Sequence, residues 1–231
     1  GANLIVANGR VAKLNKYAKQ SMVYKYGAES YFLLGLVRTI IDEGLDAPHK
    51  EFIAARVSKF NEFKKSLEPF TVEKCAELCH VKADKLREAA RAFAKSPDAL
   101  ILYGREMMFA QQFDLAVASG IATLLLITGH VGRKNNGLIA LYPHNNSMGA
   151  LDMGILPDYA AGRGEAKAKG YSAAELANAK TKALWVMGAD PAAHGKFSKS
   201  NFLVVSELFM TETAKLADVV LPAQSFAERD G

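Results

Sequence analysis

The apolar run at positions 183 to 187 is followed by residues of the kinds that can bind a phosphate group. The run contains no polar side chain and ends at Gly188, which predicts a buried parallel strand followed by a sharp turn. In open α/β sheets ligands bind at the carboxyl ends of strands, often with a phosphate on exposed backbone N–H groups. A tight turn with Pro191 at the first position of a following helix is the alternative. These residues alone favour neither interpretation.

A similar arrangement occurs near the start of the chain. Leu4 to Ala7 predicts a short strand, and Asn8-Gly9-Arg10 follows it. Asn and Gly are turn formers, and the Arg10 guanidinium is suited to an anionic group. The alternative is an ordinary turn between a strand and a helix.

Cys75, Cys79 and His80 are soft metal ligands that lie close together in the sequence. Helical spacing would place both thiols on one face. However, three soft ligands without a fourth nearby do not match a zinc or iron–sulfur motif, so we predict two cysteines in a helix and no metal site. A stand-alone nucleotide-binding protein is disfavoured, because no Gly-x-Gly-x-x-Gly or phosphate-loop lysine motif follows a predicted strand.

Composition excludes several classes of protein. Half of the 231 residues are hydrophobic and 23% are charged, which is typical of a folded globular protein. The net charge of +5 comes without an aromatic-interleaved basic stripe, so we expect no nucleic-acid partner. The apolar stretch Ala116 to Ile127 is too short to cross a bilayer, so we expect no direct membrane insertion. The first residues resemble the start of a strand rather than a signal peptide, which indicates a piece of a longer polypeptide.

Strands and helices alternate along the chain in a way that would position these residues. Apolar spacing and capping residues predict helices at Ser30–Gly44 with Ser30 as the cap, at Pro48–Ser66, from Thr71 through Cys79, at Asp84–Lys95 and from about Phe109 to Thr128, with a strand at Ala99–Gly104. The order of strand, helices and strand predicts a parallel sheet.

The second half of the chain has its own pattern. Gly129 to Gly154 is rich in Gly and Asn, which predicts a long functional loop or a domain junction. Ser172 to Glu175 is a capping box that begins a short helix, and Thr211 is a further helix cap. Further strands are predicted at residues 202–205 and 218–222. We therefore predict an α/β fold in two domains, residues 1–141 and 142–231, and self-association of the chain through the apolar surface of its second sheet.

Several motifs of this chain resemble the molybdopterin oxidoreductase superfamily. They are Gly129-His-Val-Gly-Arg-Lys-Asn-Asn-Gly137, His144-Asn-Asn-Ser-Met-Gly-Ala-Leu-Asp-Met-Gly154, Gly188-Ala-Asp-Pro191, Thr211-Glu-Thr-Ala214 and Ala217-Asp-Val-Val-Leu-Pro222. The resemblance covers essentially the whole chain. It implies a Rossmann-like αβα domain with a parallel sheet plus part of a second such domain, as in the formate dehydrogenase and DMSO reductase folds.

In that superfamily two such domains together bind two molybdopterin guanine dinucleotides at strand ends. The resemblance implies that one dinucleotide would contact Gly188, Asp190, Ser206 and Glu207. Asn8 and Arg10 would contact the other, and the resemblance implies His144 and Asn145 as further cofactor-binding residues. No catalytic residue and no metal ligand is implied for this chain, since the cluster cysteines and the metal-ligating residue of the family lie upstream of it.

Departures from the family pattern favour one relative over another. Formate dehydrogenases usually have Asp-Pro-Arg where this chain has Asn8-Gly9-Arg10, and Arg-Gly-Gln where it has Tyr142, Pro143 and His144. The Gly-Glu-Asn-Pro or Gly-Glu-Asp-Pro motif of the family has become Gly188-Ala-Asp-Pro191. Without a cation at positions 142 to 144, a formate anion would lack a partner. A retained fold with lost site groups resembles the large iron–sulfur subunit of respiratory complex I.

The sequence therefore predicts an inactive structural piece of that NADH-quinone oxidoreductase subunit, with no cofactor of its own. Its parent would hold iron–sulfur clusters, and its partners would be the rest of the parent chain and other peripheral-arm subunits. The parent would be cytoplasmic and peripheral to the inner membrane. The alternative is a piece of a formate dehydrogenase-type enzyme that binds molybdopterin guanine dinucleotide.

Overall fold

The computed structural model describes residues 2–104, 115–141, 145–195 and 197–229. Two compact units divide the chain, Gly1–Pro143 and His144–Gly231. The strand pairs in both units are parallel, and helices connect many of them. The predicted α/β class with parallel sheets is therefore confirmed. Within the described residues, no helix combines the length and apolar character needed to cross a bilayer.

Helix α1 (Glu29–Asp42) forms the centre of the core of the first unit. Its buried side chains include Phe32, Leu33, Val37 and Ile40. The helix contacts three later helices of the unit, at Val72–Cys79, Ala83–Ala94 and Leu115–Ile127. The helix was predicted, but the predicted cap was wrong. Ala28 is the residue that precedes the first turn, and it makes no side-chain cap, so Ser30 lies inside the helix.

The predicted single helix Pro48–Ser66 is in fact three short elements. A 3₁₀ turn (Ala47–His49) leads into α2 (Lys50–Arg56), and α3 (Phe60–Ser66) follows after a break. Lys59 has a left-handed backbone with φ +56°, which a continuous right-handed helix cannot contain. The break therefore separates α2 from α3.

Two amphipathic helices complete this side of the core as predicted. Thr71 caps α4 (Val72–Cys79), because its hydroxyl accepts a hydrogen bond from the backbone N–H of Lys74 at 3.2 Å. Helix α5 (Ala83–Ala94) buries Leu86 and three alanines. Helix α6 (Leu115–Ile127) is the described part of the helix predicted from about Phe109, and residues 109–114 lie outside the described residues.

The first unit contains two pairs of parallel strands. Strand β1 (Ile5–Asn8) pairs with β2 (Gln20–Val23), and β3 (Leu100–Tyr103) pairs with β4 (Gly137–Ala140). The sequence predicted β1 and β3 and missed the other two. Strand β2 buries only Met22, and β4 lies in the stretch rich in Gly and Asn, so neither has a clear strand pattern.

The second unit contains a three-stranded parallel sheet in the order β5 (Ala183–Met187), β6 (Phe202–Glu207) and β7 (Val219–Pro222). Helix α7 (Ser147–Asp152) lies inside the predicted loop. Helix α8 (Ala173–Asn178) starts with the predicted capping box of Ser172 and Glu175. Thr211 caps the short helix α9 (Glu212–Lys215), as predicted.

Strand β5 differs from its prediction in burial. We expected helices to cover both of its faces, but Trp185 is 57% exposed and Met187 is 66% exposed. Leu184 and Val186 point the other way and pack against buried Leu203 and Val205 of β6. Within the described residues the sheet is therefore covered on one face. An apolar strand sequence alone does not show whether one face or both faces of the strand are buried.

Candidate functional site

The carboxyl ends of β5 and β6 bring three of the predicted site residues to one edge of the sheet. Met187 is in register with Ser206, and Glu207 is in register with Pro222 of β7. The N–H of Gly188 donates a hydrogen bond to the carbonyl of Ser206 at 3.0 Å, and the N–H of Ala223 donates to the carbonyl of Glu207 at 3.1 Å. Gly188, Ser206 and Glu207 thus form one continuous edge, where ligands bind in open α/β sheets.

Gly188 is needed for backbone conformation rather than for side-chain clearance. Its φ is +61°, and a Cβ built there would meet nothing within 4 Å, so the site in front of it is open. Its own N–H is used within the sheet. In the part of the chain that the structure describes, the next two N–H groups, of Ala189 and Asp190, make no hydrogen bond. The donors available to a phosphate are therefore these two N–H groups and not that of Gly188.

The Asp190 side chain holds the turn after β5 against helix α9. Its Oδ1 accepts hydrogen bonds from the backbone N–H of Thr213 at 2.9 Å and from the Thr213 hydroxyl at 2.6 Å. The same hydroxyl accepts a hydrogen bond from the N–H of Ala192 at 3.0 Å. The hydrogen bond from the Thr213 side chain is the main reason that the pKa of Asp190 is lowered. The carboxylate is thus engaged within the protein, so Asp190 can offer a ligand its backbone N–H rather than its side chain.

Ser206 and Glu207 differ in what they can still bind. The Ser206 hydroxyl accepts a hydrogen bond from Nε1 of Trp185 at 3.0 Å, which fixes the indole on the exposed face of the sheet. Oε1 of Glu207 accepts from the N–H of Leu208 at 2.7 Å. No described residue donates to Oε2 of Glu207, so this oxygen can accept hydrogen bonds from a ligand.

Exposed apolar side chains lie beside this edge, and the sequence reasoning missed them. Phe209 is 77% exposed, and Met210 is also exposed. Both follow directly after the end of β6, and a flat heterocycle can stack on such side chains. The signal was present in the sequence, because three consecutive apolar residues, Leu208, Phe209 and Met210, lie between the polar residues Glu207 and Thr211.

The other predicted site residues lie elsewhere in the chain. Asn8 ends β1, and its carbonyl accepts from the N–H of Tyr24 at 3.1 Å. Arg10 is exposed in the first unit. Asn145 is exposed just before α7 in the second unit, and His144 lies outside the described residues. The role of these four residues stays a prediction.

The burial and the thiol pKa values of Cys75 and Cys79 bear on the prediction that they form no metal site. Both cysteines are fully buried in α4, whereas His80 ends that helix in an exposed position. Burial raises the pKa of the Cys75 thiol to about 11 and also raises that of Cys79, which disfavours the thiolates that metals bind. Across residues 2–104, 115–141, 145–195 and 197–229, no three His, Cys, Asp or Glu side chains group so that they could hold a metal ion.

A family model and individual relatives place this chain in the same protein family. The family model described as molybdopterin oxidoreductase matches residues 6–231. Formate dehydrogenase H of Escherichia coli (strain K12) is 31% identical over all of this chain and 36% of its own length. The assimilatory nitrate reductase catalytic subunit of Bacillus subtilis (strain 168) is 30% identical over all of this chain and 37% of its own length. This chain therefore spans little more than a third of the length of these relatives.

A solved structure supports the fold. Acetylene hydratase from Pelobacter acetylenicus superposes with a TM-score of 0.70 over 98% of this chain and 37% of its own, at 23% sequence identity. At that identity the likeness concerns the fold alone. It agrees with the α/β class predicted from the sequence.

The interpretation as a piece of the large iron–sulfur subunit of complex I is wrong. The relatives that match the whole chain include formate dehydrogenases and a nitrate reductase, and the formate dehydrogenase-type alternative fits them better. The error came from treating differences from the family pattern at single positions, such as Asn8 and Ala189, as the loss of cofactor contacts. Asp190, which one form of the family motif shares, holds α9 through its carboxylate. The expectation of no cofactor depended on the same interpretation and loses its basis with it.

Proposed function

Because the chain belongs to the molybdopterin oxidoreductase family, we propose that it is a dinucleotide-binding part of a formate dehydrogenase-type catalytic chain. The observation that carries the proposal is the carboxyl edge of β5 and β6. Among the described residues, the N–H groups of Ala189 and Asp190 and Oε2 of Glu207 have no partner there, and they lie next to an open glycine turn. Donors and an acceptor are thus present at the site that the fold offers to ligands.

These residues fit one end of a molybdopterin guanine dinucleotide. The N–H groups of Ala189 and Asp190 would donate to its pyrophosphate, since backbone N–H groups at such turns bind phosphate oxygens. Oε2 of Glu207 would accept from the N–H groups on the guanine edge, and Phe209 would stack on the base. When bound, the group would supply the metal-centred electron transfer of the complete enzyme. This chain would supply the binding and orientation of the nucleotide end.

The remaining expectations belong to the same proposal. Asn8 and Arg10 would contact a second dinucleotide, and His144 and Asn145 would also contribute to cofactor binding. Residues 1–141 would act as one nucleotide-binding domain and residues 142–231 as part of the second. The rest of the parent chain, which would carry the iron–sulfur cluster, is the proposed partner. The relatives include enzymes named for formate and for nitrate, so the proposal covers the cofactor and the class of redox enzyme.

Binding of guanosine diphosphate tests the proposal, because this nucleotide carries the guanine and the pyrophosphate without the metal. Isothermal titration calorimetry on the 231-residue chain should show saturable binding of guanosine diphosphate that is tighter than that of adenosine diphosphate. Glu207→Gln should weaken guanosine diphosphate binding by about ten- to a hundredfold, since it removes a charge-assisted hydrogen bond.

Glu165→Gln is the matched control, since Glu165 is an exposed glutamate of the same unit whose side chain forms no hydrogen bond or ion pair with any described residue. It should bind guanosine diphosphate as the unchanged chain does. Equal affinity for the two nucleotides, or equal affinity of the Glu207→Gln variant and the unchanged chain, would refute the assignment of this edge.

A further inference from the structure

The first unit contains an open cavity of about 730 Å³ between α2 and the loop that follows α6. Its lining combines basic residues, apolar residues and glycines: His49, Arg56 and Arg133; Phe52, Leu126 and Val131; Gly129 and Gly132. Among the described residues, no Asp or Glu lines it. A cavity with cationic groups, an apolar wall and no acidic lining residue is complementary to an anion attached to an apolar body.

We propose that this cavity is a binding site for a phosphate monoester of an apolar group, separate from the dinucleotide site of the second unit. Arg56 and Arg133 would bind the phosphate, and Phe52, Leu126 and Val131 would contact the apolar body. The residue types that line the cavity and the hydrogen bonds that orient one of its guanidinium groups support this proposal.

The Arg133 guanidinium is held in place and still has donors to offer. Its Nε donates to the carbonyl of Gly129 at 3.1 Å, and its Nη2 donates to the carbonyl of Pro97 at 3.2 Å. A guanidinium has five N–H donors, so these two bonds fix the plane and leave the others available. Carbonyls are neutral, and no described carboxylate pairs with Arg133. Its positive charge is therefore available to a ligand.

Arg56 supplies the second guanidinium. It is the last residue of α2 and is exposed, and no described residue forms a hydrogen bond or ion pair with it. Arginine binds phosphate oxygens in a planar, two-pronged geometry that lysine cannot reproduce. Two arginines without acidic partners beside one cavity suit a phosphate dianion better than a single carboxylate.

His49 lies between the cavity and the protein interior. Its ring lies against Gly129, where a Cβ would come within 2.5 Å of Nδ1. Burial lowers the pKa of His49, and His130 and Arg133 lower it further, while Asp46 acts in the opposite direction. The imidazole is therefore biased toward its neutral form when the cavity holds no anion. A bound phosphate would favour the charged form, so binding should be accompanied by proton uptake.

A second cavity in the same unit illustrates the contrast. It has a volume of about 520 Å³ and is lined by Lys64 and Asp46 among others. Two of the three lysines that line it have acidic partners there, because Nζ of Lys64 lies 3.0 Å from Oδ2 of Asp46 and Nζ of Lys59 lies 3.9 Å from Oε2 of Glu62. The cavity beside Arg56 and Arg133 has no acidic lining residue among the described residues and is better suited to an external anion.

Phenyl phosphate is the probe that tests this site on the 231-residue chain. Isothermal titration calorimetry at pH 7.5 should show saturable binding of phenyl phosphate, weaker binding of inorganic phosphate and no saturable binding of phenol. Arg56→Gln should weaken phenyl phosphate binding by about ten- to a hundredfold, since one charge-assisted contact is lost. Arg229→Gln is the matched control, since Arg229 is exposed in the second unit, and it should bind as the unchanged chain does.

Two further measurements separate this site from a general charge effect and from the dinucleotide site. Titrations in two buffers of different ionisation enthalpy should show proton uptake with the unchanged chain and less uptake with His49→Gln. Glu207→Gln should leave phenyl phosphate binding unchanged. The proposal is overturned if phenyl phosphate does not bind at millimolar concentration, if Arg56→Gln binds it as tightly as Arg229→Gln, or if inorganic phosphate binds equally well.

Discussion

The carboxylate of Asp190 accepts two hydrogen bonds from Thr213, one from its backbone N–H at 2.9 Å and one from its hydroxyl at 2.6 Å. This contact joins the turn after β5 to the first turn of α9, and Thr213 itself is fully buried. The Asp and Thr of two separate sequence motifs thus act as one structural pair. The pair fixes the backbone on which the N–H groups of Ala189 and Asp190 are presented to the proposed dinucleotide.

Thr213→Val tests the importance of this pair. The change keeps the shape of the side chain but removes the hydroxyl that donates to Asp190 and accepts from the N–H of Ala192. Buried polar groups without partners are costly, so the free energy of unfolding of the chain should fall by roughly 1 to 3 kcal/mol. Urea denaturation followed by circular dichroism measures this fall.

Thr213→Ser is the control, because it keeps the hydroxyl and loses only a methyl group. It should retain more stability than the valine variant, and it should retain guanosine diphosphate binding. If the serine variant is the less stable of the two, then packing of the methyl group and not hydrogen bonding stabilises this turn.

Two glycines with the same backbone conformation give a matched pair of substitutions. Gly44 follows α1 with φ +65° and Gly129 follows α6 with φ +64°. A Cβ at Gly44 would meet nothing within 4 Å, whereas at Gly129 it would lie 2.5 Å from Nδ1 of His49. Both alanine variants incur the left-handed penalty of about 1 to 2 kcal/mol, and Gly129→Ala should cost roughly 1 to 3 kcal/mol more because the site becomes overpacked.

Urea denaturation of both glycine variants measures this difference in the free energy of unfolding. An equal loss for Gly44→Ala and Gly129→Ala would show that the His49 ring moves aside without cost. In that case the proposed phosphate cavity would have a mobile wall on the side of His49.

Local signals in the sequence predicted some elements well and others poorly. Caps such as Thr71 and the box of Ser172 and Glu175 act through hydrogen bonds within one turn, so the sequence alone predicts them. Strands β2 and β4 form only because a distant partner pairs with them, and their own patterns are weak. The left-handed Lys59 was also missed, because nothing about a lysine marks that conformation.

The sequence predicted the strand end at which the candidate site lies, but not the hydrogen bonds made there. A glycine after an apolar run correctly indicated the end of β5 at Gly188, since that signal depends on strand direction and backbone freedom. Which atoms remain available depends on long-range contacts. The hydrogen bonds from Trp185 to Ser206 and from Thr213 to Asp190 cross between elements, and no spacing in the sequence indicates them. The parent protein was misassigned because differences from the family pattern, such as Asn8 and Ala189, were interpreted as a lost cofactor site.

The two cysteines should be unreactive until the chain unfolds. Cys75 and Cys79 are fully buried, and burial raises the pKa of Cys75 from 9.0 to about 11. A rise of this size lowers the thiolate fraction at pH 8 by about a hundredfold. Ellman's reagent should therefore label neither thiol rapidly in the native chain and both thiols in about 8 M urea, a concentration that unfolds most small domains. Rapid labelling of the native chain would show that α4 opens readily.

Acid should destabilise the first unit through His130. This imidazole is 1% exposed, and its Nε2 donates to the carbonyl of Ser96 at 2.9 Å while Nδ1 lies 2.7 Å from the Thr128 hydroxyl. Burial lowers its pKa, and Arg133 adds to this, while the Ser96 hydrogen bond and Asp98 act in the opposite direction. The neutral form is thus favoured in the folded chain.

The sign of the effect follows from proton binding in the two states. In the unfolded chain this histidine has its ordinary pKa of about 6.5. Around pH 6.5 the unfolded chain therefore binds a proton more readily at this position than the folded chain, in which the pKa of His130 is lowered. The stabilising contribution is therefore complete above about pH 7 and is lost as the pH falls toward the lowered pKa of the folded state. The free energy of unfolding, measured by urea denaturation at pH 7.5, 6.5 and 5.5, should decrease in that order.

His49 contributes to the same dependence of the free energy of unfolding on pH, because its pKa is also lowered. His130→Gln and His49→Gln should each make this dependence weaker, and the double variant should make it weakest. A decrease of the same steepness in the double variant would place the acid sensitivity in other groups.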